Sequence, residues 1–359
     1  MVLMDDIIKS SMKFFERMGQ GIERQLSGKE LKFSNGKTKK FRAAVDRVVG
    51  VLPKDEQLVV EEMERRFLTQ SAIPNFLERK KTREELDILN LADRATNEVL
   101  HHYEKATFSI PPRNIHVLDG KDQTDDTALG MYRARWQSVF VRSQQNKLTF
   151  FWTVFHEMLH FKSYYAVQAP VQKHGPSLED YRMGFTAHSR DIRNTYFYNL
   201  NEAITEELTR RFAKNFLNQE VLKMAYIESQ RRIAKINENA KRDGRPALSD
   251  DVYTVLAAGD QDSTSQPTRE DEMAIRKTHF HYEKDRAALN QLCKKLSQRC
   301  PKDFPHPEVA FDAFAKAMFD GKLLPLGRVI DKTFGVGAFR RIGETGNDTK
   351  ELKKIIESL

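Results

Sequence analysis

The sequence predicts a mainly helical α+β protein. Apolar residues recur at three- and four-residue spacing along most of its length, and a short central block alternates in the manner of strands. With 40% hydrophobic and 31% charged residues, 359 residues suffice to bury a full core. Because helical patterns flank the strand block, the expected organisation is a helical N-terminal region at 1–106, a core at 107–240, a polar linker at 241–272 and a helical C-terminal region at 273–359.

In the N-terminal region, helical spacing covers Asp5–Met18, Lys54–Leu68 and Thr82–Lys105. The last of these turns Leu86, Leu89, Val99, Leu100 and Tyr103 inward before Pro111 and Pro112 end it. Ile115–Leu118 then reads as a strand, and Ala128–Ala134 and Gln137–Arg142 as two more, joined near Arg135 and Trp136. A strand at the edge of such a sheet offers main-chain hydrogen bonds to an extended peptide.

The next helix carries the chemistry. Over Leu148–Phe161 an apolar stripe runs through Leu148, Phe151, Trp152, Phe155 and Leu159, while Thr149, Thr153, His156 and His160 fall on a second face. The two threonines leave room for a cleft ahead of the imidazoles. His156-Glu157-Met158-Leu159-His160 is an H-E-x-x-H arrangement: histidines four apart share a helix face and reach one tetrahedral Zn²⁺, with Glu157 beside it as general base. Chance supplies roughly 0.02 such matches in a protein of this length and composition. The unbroken apolar helix around it therefore matters more than the pattern.

A catalytic zinc needs a third protein ligand and one position kept for water. The continuation His-x-x-Gly-x-x-His fails, since Ser163 and Ala166 occupy the required Gly and His positions. Asn199–Phe212 supplies an alternative. Ala203, Ile204, Leu208 and Phe212 mark a second amphipathic helix with Asn199 or Asn201 as N-cap, and Glu202 and Glu206 share one of its faces. Glu202 is the expected third ligand, and Glu206 the acceptor for the outer N–H of a ligand histidine. The plainer reading is two glutamates favoured early in a helix by its dipole.

Together, His156, Glu157 and His160 with Asn201-Glu202-Ala203-Ile204-Thr205-Glu206 resemble the gluzincin group of thermolysin-like metallopeptidases, in which H-E-x-x-H is followed by N-E-x-x-[ST]-[DE]. The likeness covers only about residues 128–212. It implies a zincin-like core with a small mixed or antiparallel sheet and an active-site helix pair. It also implies one zinc ion per molecule and hydrolysis of a peptide or protein substrate by activated water. The interval between His160 and Glu202 is longer than in the thermolysin type. Tyr181–Thr186 and Thr195–Tyr198 alternate there like two short strands around a polar turn, suggesting a hairpin beside the site. His174, Tyr181, His188, Tyr196 and Tyr198 lie in this insert and are eligible to donate a hydrogen bond to a reaction oxyanion.

Further on, Glu220–Asn239 reads as a helix, followed by breaker-rich loops. From Ile275 an apolar stripe through His279, Tyr282, Leu289, Cys293 and Leu296 is broken by Arg286, which favours a helical hairpin over a coiled coil. Pro307 opens a helix with Phe311, Phe314, Ala315, Met318 and Phe319 inside and Gly321 as its cap; Leu323–Phe334 is the next, stopped by Gly335. Cys293 and Cys300 lack C-x-x-C spacing, so neither a disulfide framework nor a second zinc site is expected.

No run of eighteen apolar residues occurs and the first residues lack the basic-then-apolar order of a signal peptide, so no membrane association and a cytoplasmic location are expected. The net charge is +8, with basic residues gathered at Lys29, Lys32, Lys37, Lys39, Lys40, Arg42 and Arg47. No nucleic-acid-binding motif accompanies them, so nucleic acid is not the expected partner. Two alternatives stay open: a non-catalytic, zinc-containing interaction module, and a nucleic-acid-associated protein using the stretch 29–47.

Overall fold

The computed structural model describes residues 21–22, 31–32, 38–39, 45–49, 62, 78–118, 129–143, 146–168, 171–172, 175–176, 178–189, 191, 193–248 and 282–359. Its strands are β1 (Gly21–Ile22), β2 (Leu31–Lys32), β3 (Thr38–Lys39), β4 (Arg47–Val49), β5 (Ile115–Leu118), β6 (Gly130–Arg133), β7 (Ser138–Arg142), β8 (Tyr165–Gln168), β9 (Val171–Gln172), β10 (Gly175–Pro176), β11 (Glu179–Met183), β12 (Thr186–His188) and β13 (Thr195–Tyr196). Its α-helices are α1 (Arg83–His102), α2 (Lys147–Lys162), α3 (Tyr198–Ala213), α4 (Glu220–Arg242), α5 (Glu283–Arg299), α6 (Pro307–Asp320), α7 (Leu323–Phe334), α8 (Ala338–Glu344) and α9 (Thr349–Ser358). The architecture is α+β, mainly helical with small mixed sheets. The expected helices Asp5–Met18 and most of Lys54–Leu68, the greater part of the basic stretch 29–47, the linker beyond residue 248 and the first part of the stripe from Ile275 lie outside the described residues.

Helix α2 is the centre of the fold. Asn146 caps it, its side-chain oxygen accepting from the Leu148 and Thr149 amides. Phe150, Phe151, Val154, Phe155, Met158, Leu159 and Phe161 are all buried, so the apolar surface runs around the helix instead of along one stripe, as suits a helix enclosed on every side. Its neighbours are α1, α3, α4 and the sheet strands β6 and β7. Helix α1 begins with a capping box: the Thr82 hydroxyl accepts from the Glu85 amide at 3.2 Å, and the Glu85 carboxylate accepts from the Thr82 amide at 2.8 Å.

The three-stranded sheet has the order β5-β7-β6, with β5 parallel and β6 antiparallel to β7. Among the described residues strand β6 therefore ends the sheet, next to α2. A second sheet has the order β1-β4-β8-β11-β12-β13, antiparallel except where β4 runs parallel to β8. Tyr181–Thr186 thus spans a strand, a turn and the start of the next strand, not one strand. Gly184 sits at φ +57°, the left-handed conformation that lets Met183 pair with Thr186.

The start of α3 also differs from expectation. Asn199 and Asn201 lie inside the helix, and the capping position is Phe197 at φ 60°. Packing overrides cap chemistry here: Phe197 is buried against Phe185 and Phe339, and its amide donates to the Gly343 carbonyl at 2.9 Å. Helices α5 to α9 share one continuous apolar core with α2 and α3, through Phe311, Phe314, Met318, Phe319 and Phe339 among others. No helix among the described residues is long and apolar enough to cross a membrane.

Candidate metal centre

Helices α2 and α3 pack side by side and bring three donor atoms to one point. His160 Nε2 lies 3.1 Å from His156 Nε2 and 3.3 Å from Glu202 Oε2, and His156 Nε2 lies 3.4 Å from the same oxygen. Zinc bonds of about 2.0–2.1 Å in a tetrahedron give ligand-to-ligand edges of roughly 3.3–3.4 Å. The triangle matches that size, and its two imidazole nitrogens and one carboxylate are a donor set zinc takes. Among the described residues this is the one group of three such side chains placed to hold a metal ion.

The surroundings orient the donors. Glu206, one turn after Glu202, places Oε2 3.2 Å from His156 Nδ1, and Arg210 Nε donates to Glu206 Oε1 at 2.9 Å. With Nδ1–H given to Glu206, the lone pair of His156 Nε2 points to the centre. For His160 the neighbour is an amide: Asn201 Nδ2 is 3.4 Å from Nδ1, while Asn201 Oδ1 accepts from the Phe185 amide at 2.8 Å. That second bond ties the turn at Gly184 to the centre, and a β-carbon on Gly184 would fall 2.6 Å from the same oxygen.

The site is buried and charged. His156, His160, Glu157 and Glu202 are 7%, 4%, 8% and 5% exposed. Burial would lower the His156 pKa, but hydrogen bonds to Glu202 and Glu206 and the charge of Glu157 outweigh it and raise it to about 10. Burial would likewise raise Glu202 and Glu206. The two histidines instead hold Glu202 far below the usual carboxylate range, and His156 with Arg210 lowers Glu206. Glu157 goes the other way, raised chiefly by burial, with the histidine charges opposing.

Strand β6 lies directly on this face of α2. A β-carbon on Gly130 would fall 2.4 Å from Thr153 Cγ2 and 2.9 Å from Glu157 Cγ, so the room left by Thr153 is filled by the strand's backbone, not by a cleft. The Tyr132 backbone amide lies near the Glu157 carboxylate and favours its charged form.

Of the five residues considered as oxyanion donors, Tyr198 stands beside the centre, on the α3 face one turn before Glu202. The charge of Glu202, then burial and Glu157, push its hydroxyl pKa up to about 12. Tyr196 packs against the apolar core. Tyr181 is buried with Val49 and Ala166. The His188 ring meets the Thr195 hydroxyl at 3.3 Å. His174 lies outside the described residues.

One residue escapes sequence reasoning. Tyr282, just before α5, stacks on the His156 ring with centroids 5.9 Å apart and planes 8° from parallel, and its hydroxyl hydrogen-bonds Glu202. Its only signal was the polar break in the Ile275 stripe. Arg286, which makes that break, donates to Glu207 on α3 at 2.9 Å and so fixes the end of α5 that carries Tyr282.

Compared with known proteins, the sequence and fold match no family model, no curated protein and no solved structure.

Proposed function

We propose that the protein is a zinc-dependent peptidase of the gluzincin kind, with His156, His160 and Glu202 holding one zinc ion and a zincin-like core built on α2, α3 and β6. The observation that carries the reading is the donor triangle of 3.1, 3.3 and 3.4 Å, with a second carboxylate, Glu157, beside it. When bound, zinc supplies Lewis acidity, which brings water toward ionisation near neutral pH and polarises a carbonyl.

The protein's own residues supply the rest. Glu157, its pKa raised, takes the proton of the attacking water and returns it to the leaving amine. Tyr198 and Tyr282 both have hydroxyls raised well above 10, so each keeps its proton and donates to a developing oxyanion. Strand β6, the end strand of its sheet among the described residues, borders Glu157 and suits an extended substrate.

Burial of all three donors favours a second reading, a non-catalytic zinc site that holds α2 and α3 together. Glu157→Gln separates the two. The variant should retain about one zinc per molecule and lose roughly 10²–10⁴-fold in cleavage of unfolded casein, while His156→Ala should lose the metal itself. A wild type that binds zinc and cleaves nothing across a broad peptide library would leave the structural reading standing.

A further inference from the structure

A polar cleft of about 700 Å³ opens where β13, the start of α3 and the turn after α8 meet. Its volume is in the range of small-ligand sites. Tyr198 lines it and sits on the α3 face one turn before Glu202, so the cleft shares a wall with the candidate centre.

That wall is braced. The Phe197 amide donates to the Gly343 carbonyl at 2.9 Å and the Asn199 amide to the Gly346 carbonyl at 3.1 Å, which straps the turn after α8 to the start of α3. Gly346, at φ +53°, passes so close that a β-carbon would lie 3.0 Å from the Thr195 carbonyl oxygen.

The lining is cationic on balance. Arg193 and Arg340 face it against one carboxylate, Glu344, and Asn194 and Asn347 add amides. Both arginines have exposed partners: Arg193 Nε is 3.6 Å from Asp191 and Arg340 Nε 2.7 Å from Glu344. Exposed pairs of this kind are weak, so an entering carboxylate can take over either guanidinium.

We propose that this cleft is a subsite for a carboxylate of the peptide substrate, bound by Arg193 and Arg340 next to the centre. The carboxylate is the free C-terminus of the peptide or an acidic side group. The inference rests on the peptidase reading, and the test keeps the two apart by measuring binding as well as cleavage. The probe is one short dye-labelled peptide in four forms: neutral and amidated, neutral with a free C-terminus, acidic and amidated, and basic and amidated. Binding to zinc-loaded Glu157→Gln protein is read by fluorescence anisotropy.

At least one anionic form should bind roughly tenfold tighter than the neutral one, the worth of one charge-assisted hydrogen bond, and which form does so identifies the source of the carboxylate. Placed in the same background, Arg340→Glu should abolish or reverse that preference and Arg193→Gln should weaken it, with far-UV circular dichroism confirming the fold. Equal binding of all four forms, or a preference untouched by both arginine changes, would overturn the proposal. Wild type that cleaves all four forms equally would overturn it while sparing the peptidase. Anionic preference in binding without cleavage of any form would support the cleft and remove the peptidase.

Discussion

Helix α2 carries two buried polar clusters within a few residues of each other, and they are completed differently. Lys162, fully buried, gives its ammonium to acceptors of α1: the Asp93 carbonyl at 2.9 Å, Asp93 Oδ1 at 2.8 Å, Thr96 Oγ1 at 2.9 Å and Asn97 Oδ1 at 2.9 Å. Every ammonium proton has a partner within the protein. At the other cluster, His156, His160 and Glu202 turn their donor atoms on one another, with Glu157 and Glu206 close by. That cluster sets three carboxylates, Glu157, Glu202 and Glu206, against the Arg210 guanidinium and the proton held by His156. A buried charge that the protein itself completes reads as structure; one that asks for a cation reads as a binding site.

The largest expected effect breaks the first cluster. Lys162→Met should cost about 3 kcal/mol in urea unfolding, because it takes the ammonium partner from the largely buried Asp93 carboxylate and leaves the Ile110 amide, 3.0 Å away, to hold it. Added zinc should raise the melting temperature of this variant and of wild type alike, and should do nothing for His156→Ala. If zinc stabilised His156→Ala equally, the ion would be bound elsewhere and the contrast between the clusters would fail.

Next in size is the loss of an orienting partner. Glu206→Gln keeps the shape of the residue but removes the charge that receives His156 Nδ1–H and Arg210 Nε. Zinc affinity measured against a competing chelator should fall about 10–100-fold, with the ligands themselves in place. Asn201→Asp, the matching change at His160, should move affinity the opposite way, since it gives that ring the carboxylate it lacks.

These contrasts also show what sequence order reveals. The imidazoles were legible because helix geometry puts residues four apart on one face, and Glu202 and Glu206 because their own helix has the same property. Strands Ile115–Leu118 and Gln137–Arg142 and the helix at Pro307 were legible from local grammar. What stayed hidden depends on contacts distant in sequence. Tyr282 reaches His156 from another helix, Phe197 sets the start of α3 because Phe339 receives it, and Gly130 fills the space above Thr153 from a neighbouring strand. The Lys162 cage is of the same kind, since nothing beside Lys162 in sequence announces α1 as its partner.

The smallest effect is a slope. Without metal, His156 holds a proton up to about pH 10, well above the ordinary histidine value of 6.5, because the neighbouring carboxylates outweigh burial. A group raised in this way stabilises the metal-free fold fully below its unfolded pKa and ceases to do so as pH rises through about 10. Glu157, also raised, adds to the same trend, whereas the depressed Glu202 and Glu206 withdraw support only as pH falls through the acid range. Zinc must displace the His156 proton to use that nitrogen, so its affinity should climb about tenfold per pH unit between pH 7 and 9. Calorimetry in two buffers of different ionisation enthalpy should find about one proton released per zinc. The zinc-induced rise in melting temperature should then widen with pH, since the metal-free protein loses stability over the interval in which the metal gains affinity. A flat affinity over that range would mean that His156 is already neutral and that its bonds to Glu202 and Glu206 are not those of a charged ring.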